Sequence, residues 1–391
     1  MTGHCERSLR GNLWQLAVVC PTLSLDFPMS TTNAGVSVSA PGRVCLFGEH
    51  QDYLGLPVVP CAISLRIQID ARPRSDRTVH MDMPDVAASE EFSLEAPLAY
   101  VRERDYIRSA VNVMRREGFT FGRGFDCTVR GSIPINAGTS SSSALVVSWI
   151  TLLAAMSDQA AALSPGDCAR LAHSAEVLEF REPGGMMDHC AAAYGGVTAI
   201  DFSPAFAVQP LGVDLGTFVL GDSGEPKDTK GILGRVKAGV LDAVKFLRER
   251  DPHFSLFSAH AGSIRGSGTG LSAAQEELLE GTLRNRDITR EARDVLGRSP
   301  VDRRRLGRLL TAHQDVLRDV LAISTKRIDA MLAGALAAGA YGGKINGSGG
   351  GGCMFAYAPE HPGAVAEAIA AAGGKPYVIR ADAGTRRENP A

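Results

Sequence analysis

The chain has 391 residues, 45% of them hydrophobic and 21% charged, which is the composition of a globular protein long enough for two domains. A formal charge of −2 provides no global basic field, so nucleic acid and membrane surfaces are not expected partners. The eight cysteines (5, 20, 45, 61, 127, 168, 190, 353) form no C-x-x-C pair, which argues against a zinc knuckle or a disulfide scaffold and fits reduced thiols in a cytoplasm.

Residues 1–35 read as a poorly ordered extension. Arg7 and Arg10 precede a short apolar run, Leu16 to Cys20, which Gln15 and Pro21 interrupt too soon for a signal peptide. Met29, followed by Ser-Thr-Thr-Asn, looks like a more natural start. No stretch approaches the ~20 apolar residues of a membrane span. Ile63, Leu65, Ile67 and Ile69 alternate with Ser64, Arg66, Gln68 and Asp70, the pattern of a half-buried strand. A helix is expected over 97–117, a strand over 124–132, and a buried helix from Ser143 to Ala155. A further helix is expected over 165–181, then strands over 196–202 and Thr217 to Leu220. Val236, Val240, Leu241, Val244 and Leu247 share one helical face. Two helices are expected within 285–322. Another carries Ile328, Met331, Leu332, Ala335 and Leu336, and the chain ends strand, helix, strand over 352–357, 361–373 and 376–381. Strands and helices interleave without the alternation of a doubly wound sheet. The expected class is therefore α+β, with the extension 1–35, one domain over 36–215 and a second over 216–391.

Four segments carry chemistry. The first, Ala40 to Tyr53, places Arg43, Glu49, His50 and Asp52 within ten residues, a mixture suited to gripping a polyhydroxylated ligand beside a phosphate. The second, Pro134 to Ala144, is rich in serine and leads from a strand into an apolar helix. Gly138 permits close backbone approach, and N–H groups at a helix start attract anions. The third, Gly342 to Cys353, has a formal G-x-G-x-x-G match at Gly347, Gly349 and Gly352. It leads into a strand rather than a helix, so a dinucleotide fold is disfavoured and a tight turn packed on another loop is expected. The fourth is Glu176 with Asp188, twelve residues apart across the Pro183-Gly184-Gly185 turn. One acid holding Mg²⁺ and another accepting a proton would suit phosphoryl transfer, although spacing alone does not assign it.

Together these segments resemble the GHMP kinases, the superfamily of galacto-, homoserine, mevalonate and phosphomevalonate kinases. The resemblance runs over roughly 39–381 and is nearest to the galactokinase branch, whose signature residues 42–53 match almost throughout. It implies a two-domain architecture with the active site in the cleft between domains. It implies that Asp188 is the catalytic base or orients the anomeric hydroxyl, with Arg43 beside it. Glu49, His50 and Asp52 would bind sugar hydroxyls, with Gly185 and Gly347 supporting the pocket. Asn136, Ala137, Gly138, Thr139, Ser140, Ser141, Ser142 and Ser143 would cradle ATP, and Ser142 with Glu176 would hold Mg²⁺.

The chain departs from the family at several points. Thr139 stands for Leu, Ser143 for Ala, Gly350 for an aromatic and His189 for Gln. Residues 180–187 lack the Val-Asn-Cys of galactokinases, and Ile232 falls where a sugar-contacting Tyr is usual. The expected activity is ATP- and Mg²⁺-dependent phosphorylation of the anomeric hydroxyl of a galactose-like aldose. The same chemistry on a uronic acid, pentose, amino sugar or longer aldose is the alternative, and a non-catalytic sugar and ATP sensor is a further one. The expected partners are the sugar and ATP alone, in a cytoplasmic monomer or homodimer.

Overall fold

The computed structural model describes residues 35–388, apart from positions 96, 136, 228 and 267. All but the last residue of the expected extension lies outside the described residues. Alternating apolar residues build β2 (Val59–Pro73), β3 (Thr78–Met83) and β5 (Phe125–Gly131), which β1 (Val36–Phe47), buried along both faces, and the more polar β4 (Ala88–Ser93) join. With β12 (Arg386–Glu388) they form a six-stranded sheet in the order β12-β1-β2-β5-β3-β4. Neighbours are antiparallel except β3 and β5. The tail expected to finish the 216–391 domain thus crosses back into the first sheet, with Ser39 opposite Arg386.

Helices α1 (Tyr106–Arg116), α2 (Ser141–Met156), α3 (Pro165–His173) and α4 (Met187–Tyr194) cover this sheet. Buried Trp149 of α2 ties the layer together by donating from Nε1 to Ile107 O at 3.1 Å. The helix expected from 97 starts only at Tyr106, because Arg104 takes a left-handed backbone with φ 59° and Asp105 caps the helix by accepting from Arg108 N. The helix expected over 165–181 changes at Ser174 into a π turn, Ser174–Leu178.

In the second half β8 (Thr217–Asp222), β9 (Gly342–Ile345), β10 (Cys353–Tyr357) and β11 (Lys375–Arg380) form an antiparallel sheet ordered β11-β8-β10-β9. A hairpin of β6 (Thr198–Asp201) and β7 (Ala207–Pro210) precedes it. The helices are α5 (Thr229–Arg248), α6 (Ala273–Leu296), α7 (Arg303–Asp319), α8 (Lys326–Ala337) and α9 (Pro362–Ala371). Val219 and Met354 face Met331 of α8 and Ile369 of α9. Their alternating neighbours Phe218, Leu220 and Phe355 face the other way, onto Leu306 and Leu310 of α7 and onto Val44, Leu46 and Phe47 of β1.

β1 therefore belongs to two cores. Val38, Ala40 and Cys45 face the first layer of helices, and Val44, Leu46 and Phe47 face the second sheet. Its pairing with β2 slips between Pro41 and Arg43 and again between Cys45 and Phe47. Slips of this kind bend a strand and re-aim its side chains, and Arg43 lies at this one.

Candidate active site

Arg43 is 5% exposed, so its guanidinium must find acceptors inside the protein. Nε donates to Asp188 Oδ1 at 2.8 Å, and Nη1 donates to Gly138 O. Asp188 stands in the first turn of α4. Burial opposes its charge, yet the Arg43 guanidinium holds the carboxyl below its ordinary range. Burial likewise opposes the charge of Arg43, which Asp188 and Glu49 nevertheless keep firmly protonated.

The serine-rich loop meets this pair. Ser140 precedes α2 with φ 57° and does not cap it; its buried hydroxyl lies beside the Asp188 carboxylate and helps to hold it ionised. The opening N–H groups of α2 are thus left without a side-chain cap, in a wall made of Gly138 and Ser140 to Ser143. Ala137 and Thr139 stand behind that wall. Ala137 O accepts from Cys353 N at 2.7 Å, Thr139 O accepts from Arg43 N at 3.1 Å, and both side chains are buried. Asn136 lies outside the described residues.

The expected tight turn in the glycine run is present. Asn346 binds three segments at once: Oδ1 accepts from Cys45 N at 2.8 Å and Nδ2 donates to Gly138 O at 2.8 Å, while its own N donates to Cys353 O. Gly347 N donates to Glu49 Oε1, and buried Lys344 stands 3.4 Å from the same oxygen. The Glu49 carboxylate also lies against the Cys45 thiol, whose ionisation it opposes.

His50 lines the cavity and has two protein contacts. Its Nε2 donates to Ser348 O at 3.0 Å, which leaves Nδ1 to accept from the Tyr53 hydroxyl at 2.7 Å. Both ring nitrogens have protein partners, which fix the ring beside Glu49 and Asp52 on the cavity wall. Burial lowers its pKa to about 4, which fits the neutral tautomer. Burial and the Asp188 charge raise Asp52 to about 6. Asp52 approaches Gly185 so closely that a Cβ there would stand 2.1 Å from Oδ2.

Glu176, in the π turn, accepts from His189 Nε2 at 2.8 Å, and the His173 ring lies edge-on to His189. Glu176 and Ser142 line the same cavity of about 690 Å³ as Arg43, Glu49, Asp52 and Asp188. Among the described residues no cluster of three or more His, Cys, Asp or Glu could hold a metal unaided. One carboxylate and one hydroxyl fit Mg²⁺, which takes most of its ligands from phosphate and water.

Sequence reasoning passed over Lys227, Lys344 and Asn346, although the last two lie inside a segment it singled out. Lys227 lines the cavity, and no motif marks it. Ile232 is absent from the lining and packs against the core of the second sheet. The 180–187 segment contributes Glu182, which pairs with Arg104 at 2.6 Å on the cavity wall.

Three family models match the chain: the GHMP kinases N terminal domain over 105–196, the GHMP kinases C terminal over 301–375, and the galactokinase galactose-binding signature over 29–73. The mevalonate kinase of Thermococcus onnurineus (strain NA1) is 29% identical over 363 residues, covering 90% of this chain and 98% of its own. The mevalonate kinase of Pyrococcus furiosus is 28% identical over 352 residues, covering 88% and 95%. Among solved structures, Lactococcus lactis galactokinase complexed with galactose superposes with a TM-score of 0.81 at 21% identity, over 91% of this chain and 95% of that one. Methanococcus jannaschii mevalonate kinase gives 0.70 at 16%, over 89% and 99%. The chain belongs to the GHMP kinase superfamily and is galactokinase-like within it. It is a kinase of the sugar and mevalonate type, a class that uses ATP as co-substrate.

Proposed function

We propose that the protein transfers the γ-phosphoryl group of ATP to the anomeric hydroxyl of a galactose-like aldose, giving a sugar 1-phosphate and ADP. One observation carries this reading. The Arg43–Asp188 pair, 2.8 Å apart, shares one cavity with the uncapped start of α2 and with the turn bearing Glu49 and Asp52. The helix start suits phosphate, the two acids suit hydroxyl groups, and the ion pair shares the cavity with both.

The sugar hydroxyl would donate to Asp188. As its oxygen bonds to Pγ, the bond from Pγ to the β–γ bridging oxygen breaks, and ADP leaves with that electron pair. The low pKa of Asp188 makes it an orienting acceptor that takes the proton late, once the forming P–O bond has acidified the hydroxyl. Arg43 would stabilise charge on the moving phosphoryl group. Glu176 and Ser142 would hold Mg²⁺, which when bound neutralises charge on the nucleotide phosphates. His189 would fix the Glu176 carboxylate.

The mevalonate kinases among the relatives support a second reading, a hydroxy-acid acceptor. Against it, Glu49 and Asp52 line the cavity, and their charge would repel a carboxylate substrate. ADP release with Mg²⁺ and ATP should be measured on galactose, galacturonate, arabinose, N-acetylgalactosamine, an octose and mevalonate. Turnover on a neutral galacto-configured sugar is expected. Turnover on mevalonate alone would replace the sugar reading with the second one.

A further inference from the structure

Glycines from two loops line the path of a single lysine. The side chain of Lys227, from the turn after β8, reaches the cavity wall. A Cβ on Gly352 would stand 2.7 Å from its Cδ, one on Gly138 2.9 Å from its Nζ, and one on Gly347 3.3 Å from its Nζ. All three glycines have positive φ, between 74° and 86°. Any side chain at these positions would be strained by the backbone and would press on the lysine stem or on its ammonium.

The ammonium therefore lies against Gly138, whose carbonyl Arg43 already grips, beside the uncapped start of α2. Burial first and the Arg43 charge second lower its pKa to about 8, while Asp188, Cys353 and Glu49 act in the other direction. Two cations held close together next to a helix N-terminus repel each other until a multiply charged anion arrives. A single acceptor carboxylate fits this place poorly, because Asp188 and Glu49 flank it.

We propose that Lys227 contacts the γ-phosphoryl group of ATP opposite Arg43, its side chain running through space that Gly138, Gly347 and Gly352 leave open. This rests on the kinase reading above but not on the identity of the sugar.

The test is calorimetric titration of a non-hydrolysable ATP analogue and of ADP, each with Mg²⁺ and without acceptor, into wild type, K227M and K227R. K227M is expected to weaken the ATP analogue by about 10- to 100-fold and ADP by no more than about threefold. K227R is expected to recover most of the loss, since a cation is restored. Thermal melts check folding, and K227Q replaces K227M if the latter does not fold. Equal losses for both nucleotides, or unchanged affinity for the ATP analogue, would overturn the assignment. If wild type binds nucleotide and the variant matches it, only the role of Lys227 falls. If wild type binds neither nucleotide, the kinase reading falls with it.

Discussion

A buried ion pair is poor evidence of stability but good evidence of placement, because each partner charge is costly to strand. Replacing Asp188 by Asn keeps the shape and removes the charge. Arg43 would then keep Gly138 O as an acceptor and lose its counter-ion. Asp188→Asn is expected to lower kcat by about 10²- to 10³-fold. Nucleotide affinity should hold or tighten, because the freed guanidinium meets the phosphates without competition. Steady-state kinetics with a nucleotide titration checks both parts, and full turnover would remove Asp188 from the mechanism. Arg43 and Glu49 could be singled out in the amino-acid sequence because their motif is local, whereas spacing alone did not assign Asp188, which only the family resemblance marked. The partners of His50 were not legible, since its Nε2 meets a carbonyl 298 residues away.

At the scale of elements, the site depends on loops that hold one another. Asn346 joins β1 to the Gly138 loop across 301 and 208 residues of chain. Its removal strands the buried Cys45 N–H, so Asn346→Ala is expected to cost about 2–3 kcal/mol, read from denaturant unfolding. The turn at 183–185 acts differently. Gly185→Ala would drive Asp52 and the turn apart, because the new Cβ falls 2.1 Å from Asp52 Oδ2. The expected loss is on the order of 10²-fold in kcat/KM for the acceptor, with the KM for ATP little changed. Equal loss for both substrates would show that the turn does more than shape the acceptor side. Most helices and half of the strands were legible from their periodicity, but α4 and the strands β1, β3, β4, β7, β9 and β12 were not. β1 is buried on both faces and carries Pro41 and Gly42, so it lacks the alternation of a half-exposed strand. α4 has eight residues, too few for a periodic signal.

Across the whole molecule, burial has been applied to histidines as well as to the site. His50 falls to about 4 and His173 to about 3, both chiefly by burial, and His313 is pushed well below its ordinary 6.5. Each is neutral when folded and protonates near 6.5 when unfolded, so between pH 6.5 and 4 the unfolded chain binds more protons. Their contribution to stability is complete above pH 6.5 and is lost as pH falls towards the folded values. At pH 5 the loss is about 2 kcal/mol each for His50 and His173, and His313 adds to it in the same direction. Asp52 has the opposite sign. Its raised value of about 6, against an ordinary 3.8, means that the folded state binds the extra proton, returning about 1 kcal/mol at pH 5. Three histidines outweigh one carboxyl, so unfolding free energy should fall by several kcal/mol between pH 7 and pH 5. Chemical denaturation at pH 7, 6 and 5 reads this directly, and a His173→Gln variant should lose about 1.4 kcal/mol per pH unit from the slope below pH 6.5. A slope unchanged by that variant would mean that His173 takes up its proton without leaving the folded state, and burial would then not be what holds it neutral.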